Sequence, residues 1–415
     1  MELLHARCAG LDVHGQTVVA CVRLAADGKV VREVRTFATT TSGLLELSDW
    51  LQGHGCTHVA MESTGVYWKP VWHVLEASFE LVLANARHIR SVPGRKTDVN
   101  DATWIAELLA HGLIRGSFVP PTPVQELRDL TRTRKQLVRE IAQHTQRIQK
   151  TLEDANLKLT GVLSDILGTS GRAILDALIA GESDPERLAA LRRGRVKASA
   201  AEFREALRGR VRDHHRFLLR LHLGQIDALR AAIAELDERL GDALRPFREL
   251  AELLTTIPGV SEIVAQVILA EIGADMTRFP SAAHLISWAG LCPQSDESAG
   301  KHRSTRLRKG APWLKTTLVQ AAWAAARTKN SYSRAQFLRL KTRRGPMKAI
   351  IAVAASMLTA AYHMLQRRLP YRDLTPAHFD RLDRSRISFR LVQRLRQLGF
   401  DVELRPHAPE PAMAT

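Results

Sequence analysis

The chain has 415 residues, 45% of them apolar, which allows roughly two to four domains with sizeable cores. Its formal net charge of +17 and pI near 10.3 point to a polyanionic partner, with nucleic acid the first candidate. The four cysteines, Cys8, Cys21, Cys56 and Cys292, form no C-x-x-C pair. Neither a zinc ribbon nor a disulfide scaffold is suggested, and a reducing cytoplasm fits. The first residues, Met1 to His5, carry no signal-peptide pattern.

In chain order, Ala9 to His14 is a short apolar run holding one acid, Asp12. Gln16 to Leu24 and Val30 to Phe37 alternate and are β-branched, with a turn at Ala25 to Lys29 between them, so an antiparallel meander is expected. Thr41 to Gln52 reads as a helix, with Leu44, Leu45, Leu47, Trp50 and Leu51 apolar. His58 to Glu62 is a buried-strand pattern ending in an acid; Tyr67 to Ser78 reads as a helix and Glu80 to Ala84 as a strand. The order β-β-β-α-β-α-β-α predicts an α/β layer with a mixed sheet. Strands one and four can lie side by side there, so that Asp12 faces Glu62 where open α/β sheets place their chemistry.

The stretch Arg95 to Ala102 adds Asp98 and Asp101, ahead of a helix with Ile105, Leu108, Leu109 and Leu113 on one stripe. Three residues apart, the two acids share a helix face near the positive end of its dipole. Spacing alone allows a solvated helix start with a capping Asp, or half of a divalent-metal site. Together with Asp12 and Glu62 they would hold two hard cations about 4 Å apart, gripping the attacking and leaving oxygens of a phosphodiester.

Pro120-Pro121-Thr122-Pro123 ends this domain, residues 1–119. In 120–250, Leu127, Leu130, Leu137, Ile141 and Ile148 fit one heptad frame, and Leu219, Ile226, Leu229, Ile233, Leu236 and Leu240 another. A coiled coil is expected, either as a hairpin within the chain or as a dimer between chains. In 251–370, Thr256 to Ser261 lies between two helical patterns. Gly259 there belongs either to a helix-hairpin-helix turn that holds a DNA phosphate or to an ordinary αα turn. Ala289 to Arg303 is a polar loop. From Lys301 to Lys348 there are fourteen Lys and Arg and no acid, a run that reads as a polyanion surface rather than a solvated face. Trp313 and Trp323 fall on apolar stripes and read as core. Ala349 to Ala361 is too short to span a bilayer, and Pro346 to Arg368 reads as a buried core helix. The remainder, 371–415, contains a basic helix near Leu391 to Leu398 and a tail from Pro406 that reads as disordered.

Leu11-Asp12-Val13, Met61 to Trp68 and Lys96 to Ala102 resemble the Asp-Glu-Asp-Asp domain of the insertion-sequence 110 family transposases, itself similar to Holliday-junction resolvases of the ribonuclease H fold. Gly290 to Pro293, Ala299-Gly300-Lys301 and Leu307 to Gly310 resemble that family's C-terminal transposase domain. The resemblance implies an α/β + α chain: a ribonuclease H-like (resolvase-like) mixed sheet, a central helical coiled coil and a mainly helical transposase domain. It implies Mg²⁺, two per site, on Asp12, Glu62, Asp98 and Asp101. It also implies a nucleophile at Ser298, the serine before the small-residue-Gly pair. This chain has Ser-Ala-Gly where Ser-Gly is common, so Ser295 and Ser304 stand as rivals. Lys301, Arg303 and Arg308 are expected to hold the phosphate, with Arg95, Lys96, Gly259 and Lys309 as further nucleic-acid contacts. No general base is evident.

The implied function is RNA-guided DNA recombination that moves the chain's own element. It would use a non-coding guide RNA, the element ends and target DNA, and a homo-oligomer (dimer or tetramer) in the prokaryotic cytoplasm at the nucleoid, with no membrane. The alternatives are a metal-only, resolvase-like nuclease and a non-catalytic nucleic-acid-binding protein.

Overall fold

The computed structural model describes residues 3–26, 28–62, 65–85, 89, 100–194, 197–293, 297–298, 301–302, 304, 306–308, 310–382 and 384–404. The chain divides into two compact units, Met1–Val119 and Pro120–Thr415.

The first unit is built on a mixed five-stranded sheet of order β3-β2-β1-β4-β5. Strands β1 (Arg7–Val13), β2 (Thr17–Ala26) and β3 (Lys29–Ala38) form the antiparallel meander. Helix α1 (Thr41–Gly53) leads to β4 (His58–Glu62), which runs parallel to β1. Helix α2 (Trp68–Leu75) leads to β5 (Glu80–Ala84), parallel to β4, and α3 (Asp101–Ala110) follows. The two faces of the sheet are covered differently. Ala9, Leu11, Val13, Val59 and Met61 pack with Leu44, Leu47 and Leu51 of α1 and Val71 and Leu75 of α2. Cys8, Ala60 and Ala84 pack instead with Ile105, Leu108 and Leu109 of α3. Cover on both faces is why β1 and β4 read as apolar runs rather than alternating strands.

Glycine at position 10 permits the closest approach in this unit. A Cβ there would lie 2.2 Å from the Ala102 carbonyl oxygen and 2.3 Å from the Ala106 nitrogen. Helix α3 therefore rests directly on the β1 backbone. Its outer side is fixed by charge. Arg23, 4% exposed, and Arg32 both donate to the Glu107 carboxylate, at 2.9 and 2.7 Å. Burial opposes ionisation of Glu107, but the two guanidiniums outweigh it and hold the carboxyl down at about 2. A depressed carboxyl stabilises the fold above its unfolded pKa, near 4.5, and that contribution is lost as pH falls toward 2. Glu107→Gln is accordingly expected to flatten the acid limb of the melting-temperature profile between about pH 4.5 and 2. A variant limb as steep as wild type's would contradict this.

In the second unit, α4 (Thr122–Asp154) and α8 (Asp213–Ala243) are long helices that pair within the chain. Arg134 meets Asp237, His144 meets His222, and Asp154 meets His215, so the two run antiparallel. Of the two arrangements open to the heptads, the structure has the hairpin. The seam is buried at Leu127, Ile148, Leu219, Ile226 and Leu240 and half-buried between them. Helices α5 (Thr169–Ala180), α6 (Pro185–Ala190) and α7 (Ala200–Ala206) close its far end around Phe203, Ile174 and Leu178.

The other end of the unit contains α9 (Arg248–Thr255), α10 (Glu262–Ile272), α11 (Ala282–Ala289), α12 (Pro312–Ala325), α13 (Tyr332–Arg344) and α14 (Pro346–Arg367). By length and composition, helix α14 is apolar enough to cross a membrane. It is nevertheless a core helix here: Ile350, Val353, Leu358 and Ala361 are fully buried, and the Tyr362 hydroxyl donates to the Phe279 carbonyl at 3.0 Å. Glu271 of α10, 1% exposed, accepts two hydrogen bonds from Arg132 of α4, at 2.8 and 2.9 Å. Arg128 donates to the Ala270 and Glu271 carbonyls beside it, so the buried charge is fully answered. Helices α15 (Ala377–Leu382) and α16 (Arg384–Gln397) end the described chain, α16 being the expected basic helix. The tail from Pro406 lies outside the described residues.

Candidate active site

The β1–β4 register pairs Leu11 with Met61, so Asp12 and Glu62 follow side by side at the carboxyl ends of two central parallel strands. Adjacent strands lie about 4.8 Å apart. Side chains alternate along a strand, and Cys8 and Ala60 belong to the α3 face; Asp12 and Glu62 therefore belong to it too. The direction of α3 completes the arrangement. Ala102 lies over Gly10, while the Ala106 carbonyl lies 3.6 Å from the Cys8 thiol, so the helix runs opposite to β1. Its first residue, Asp101, thus comes at the end of β1 where Asp12 stands.

The helix cap is not an aspartate. The Asn100 side chain accepts from the Ala102 amide at 2.9 Å. Asp101 is left on the first turn, within the positive field of the helix start. Glu62 is buried, at 9% exposure, and the Asp12 side chain is 19% exposed. His14, to which sequence gave no role, holds Nε2 3.2 Å from Asp12 Oδ2. Asp98, Arg95 and Lys96 lie outside the described residues. Among the described residues no three His, Cys, Asp or Glu side chains stand as a ready cation cage. The donor chemistry of Asp12, Glu62 and Asp101, all carboxylate oxygen, fits a hard divalent cation rather than a soft one.

The second stretch is a hairpin. Strand β6 (Glu297–Ser298) pairs antiparallel with β7 (Lys301–His302), and Ser298 is registered against Lys301. The excursion is closed at its base by a Pro293–Leu307 bridge and by two glycines. Gly290 has φ +71°, and a Cβ on it would come within 2.8 Å of the Arg308 carbonyl oxygen; a Cβ on Gly310 would come within 2.4 Å of Ala289. Arg308 is exposed and donates to Ser287 Oγ at 3.1 Å. The Ser304 hydroxyl accepts from the Arg306 amide at 3.2 Å. Ser295, Arg303 and Lys309 lie outside the described residues, as do the side chains of Ser298 and Lys301.

Gly259 has φ +84°, and a Cβ there would meet Ala321 O of α12 at 2.4 Å, so packing alone accounts for the glycine. Ser261 caps the helix that follows. Trp313 is half-buried under three cations, Arg132, Lys135 and Arg139, with Arg139 5.1 Å above its ring. Trp323 packs edge-on against Phe337 at 5.5 Å.

Two transposase family models match the chain in succession. The one described as DEDD_Tnp_IS110 covers residues 9–156, and that of the IS116/IS110/IS902 family covers residues 251–338. The chain is 32% identical over 138 residues to the "Insertion element IS110 uncharacterized 43.6 kDa protein" of Streptomyces coelicolor, a third of this chain (33%) and 34% of that protein. It is 23% identical over 357 residues to the "Pilin gene-inverting protein" of Moraxella bovis, spanning 81% of this chain and 89% of the relative. The first model takes in Asp12, Glu62, Asp98 and Asp101, the second takes in Ser298, and the two occur in that order: the chain belongs to the IS110 family of transposases.

Proposed function

We propose that this protein is an RNA-guided DNA recombinase that excises and inserts its own insertion element, using a carboxylate-held divalent metal centre and Ser298 as nucleophile. The observation that carries the reading is the β1–β4 register, which sets Asp12 beside Glu62 on the face where α3 begins at Asp101. The sheet order, with its first three strands antiparallel and the acids at the ends of β1 and β4, supports a ribonuclease H-like assignment for the first unit. The name of the Moraxella relatives, pilin gene inversion, supports strand exchange rather than cleavage alone.

Asp12, Glu62, Asp98 and Asp101 would hold magnesium, two ions per site. When bound, it polarises the phosphate and neutralises charge on the oxygens exchanged there. The serine hydroxyl oxygen forms a bond to phosphorus, and the bond from phosphorus to the deoxyribose oxygen breaks. The electron pair stays on that oxygen, which takes up the proton the serine gives away. Lys301, Arg303 and Arg308 would neutralise the phosphate, with Arg95, Lys96 and Lys309 as further contacts to the nucleic-acid backbone. Guide RNA pairing with donor and target reads sequence, leaving shape and backbone to the protein. The working form is a homo-oligomer in the prokaryotic cytoplasm.

The test uses purified protein, magnesium, the RNA encoded beside the gene, and supercoiled DNA carrying the element's ends and a target. Joined, exchanged strands are expected only with all of these present. Equal products without RNA would show that the protein needs no guide. Nicks without joining would favour the resolvase-like nuclease. Binding without any cleavage would favour a non-catalytic protein.

A further inference from the structure

A groove of about 570 Å³ lies between α13, α14 and the strap that connects α14 to α15. Its floor is apolar, formed by Ile257, Met357 and Met364, and its rim carries two phenols and two guanidiniums. The Tyr332 ring is already fixed, stacked on Phe379 at 4.8 Å and 25° and braced edge-on by His378 at 5.5 Å. The strap is tied down at several points. Its Tyr371 amide donates to Thr256 Oγ1 at 3.0 Å, and Asp373 accepts from the Tyr332 amide at 2.9 Å and the Thr375 amide at 2.7 Å. Arg368 and Thr375, which bound it, both hold left-handed backbone, φ 57° and 58°, a strained state for side-chain-bearing residues that persists only where surroundings enforce it. Burial, with the charges of Asp373 and Tyr332 behind it, pushes the Tyr371 phenol up to about 12, so it remains a neutral donor.

Arg367 and Arg372 meet no acid among the described residues, although both line the groove and are exposed. A fixed Tyr332 ring, the neighbouring Tyr371, an apolar floor and two cations without an acid partner suit a planar group joined to an anion. The same unit carries fourteen cations and no acid from Lys301 to Lys348.

We infer that this groove takes one unpaired nucleotide of a DNA or RNA strand, with its base against Tyr371 and Tyr332 and its phosphate on Arg367 and Arg372. The inference rests on the nucleic-acid reading above and adds to it a site for a base withdrawn from pairing. It lies beyond the stretch matched by the second transposase model, which ends at residue 338, in all but Tyr332, Ser333 and Ile257.

The test uses the full chain and short single strands of DNA and of RNA, each carrying one 5-iodouracil, with photo-crosslinks mapped to peptides. Affinities for the same strands and for a matched duplex are measured in parallel. Crosslinks are expected on the peptides of Tyr371 or Tyr332, and the DNA and RNA arms identify which strand supplies the base. Tyr371→Leu should weaken single-strand binding about tenfold and leave duplex binding within about twofold, whereas Tyr371→Phe, which keeps the ring, should bind like wild type. Arg367→Gln, at an exposed position with little risk to folding, should also weaken the single strand selectively. Crosslinks elsewhere, or single-strand binding unchanged in Tyr371→Leu and Arg367→Gln, overturn the groove while leaving the nucleic-acid reading intact. Absence of both single-strand and duplex binding in wild type overturns both.

Discussion

Asp12→Asn and Glu62→Gln are each expected to abolish strand exchange while leaving duplex binding and the fold in place. The two side chains stand on neighbouring strands at the end where α3 begins, and neither anchors the core. Loss of an outer partner alone costs a metal site roughly 10- to 100-fold, so loss of a carboxylate ligand should exceed that. Stability gives an independent sign. Without metal, replacing Asp12 by the neutral amide relieves repulsion among neighbouring carboxylates, so the melting temperature should hold or rise. Exchange at wild-type rate in magnesium by Asp12→Asn would remove that residue from the site.

Ser298→Ala should eliminate strand joining and any covalent protein–DNA species. A phosphoserine ester conserves the energy of the broken phosphodiester, so joining would need no ATP, and the chain has no G-x-x-x-x-G-K-[ST] phosphate loop. The expected loss is large, because removing a serine nucleophile elsewhere costs roughly a million-fold. Ser304→Ala serves as the control: its hydroxyl accepts from the Arg306 amide, and joining should persist. On a denaturing gel, a slow-migrating species should form with wild type and Ser304→Ala and vanish with Ser298→Ala. An adduct that survives Ser298→Ala, or that maps to Ser295, would move the nucleophile.

The neighbouring places of Asp12 and Glu62 were legible because the β-β-β-α-β order already allowed strands one and four to lie side by side. The reason for Gly10 was not legible. It depends on α3 lying against the β1 backbone, a contact ninety residues away in sequence with no local trace. The identity of the helix cap was not legible for a related reason: Asp98, Asn100 and Asp101 are all good cap residues, and the Ala102 amide donates to Asn100. The polar loop after α11 concealed a hairpin, since two-residue strands are too short to show alternation. Heptads fix a seam but not its owner, so the α4–α8 pairing within one chain could not be told from a dimer until the connection was seen to bring α8 back. The nucleotide groove left least sign of all, because its walls are gathered from the turn before α10, two helices and a strap.

Whether Asp12, Glu62, Asp98 and Asp101 gather divalent cations can be measured without any DNA. Manganese, as a spin-active substitute for magnesium, is titrated into the full chain and followed by electron paramagnetic resonance, with Asp12→Asn and Glu62→Gln alongside. Saturable binding to wild type is expected, displaced by magnesium and markedly weakened in both variants. Manganese binding that is equal in wild type and in the two variants would contradict it.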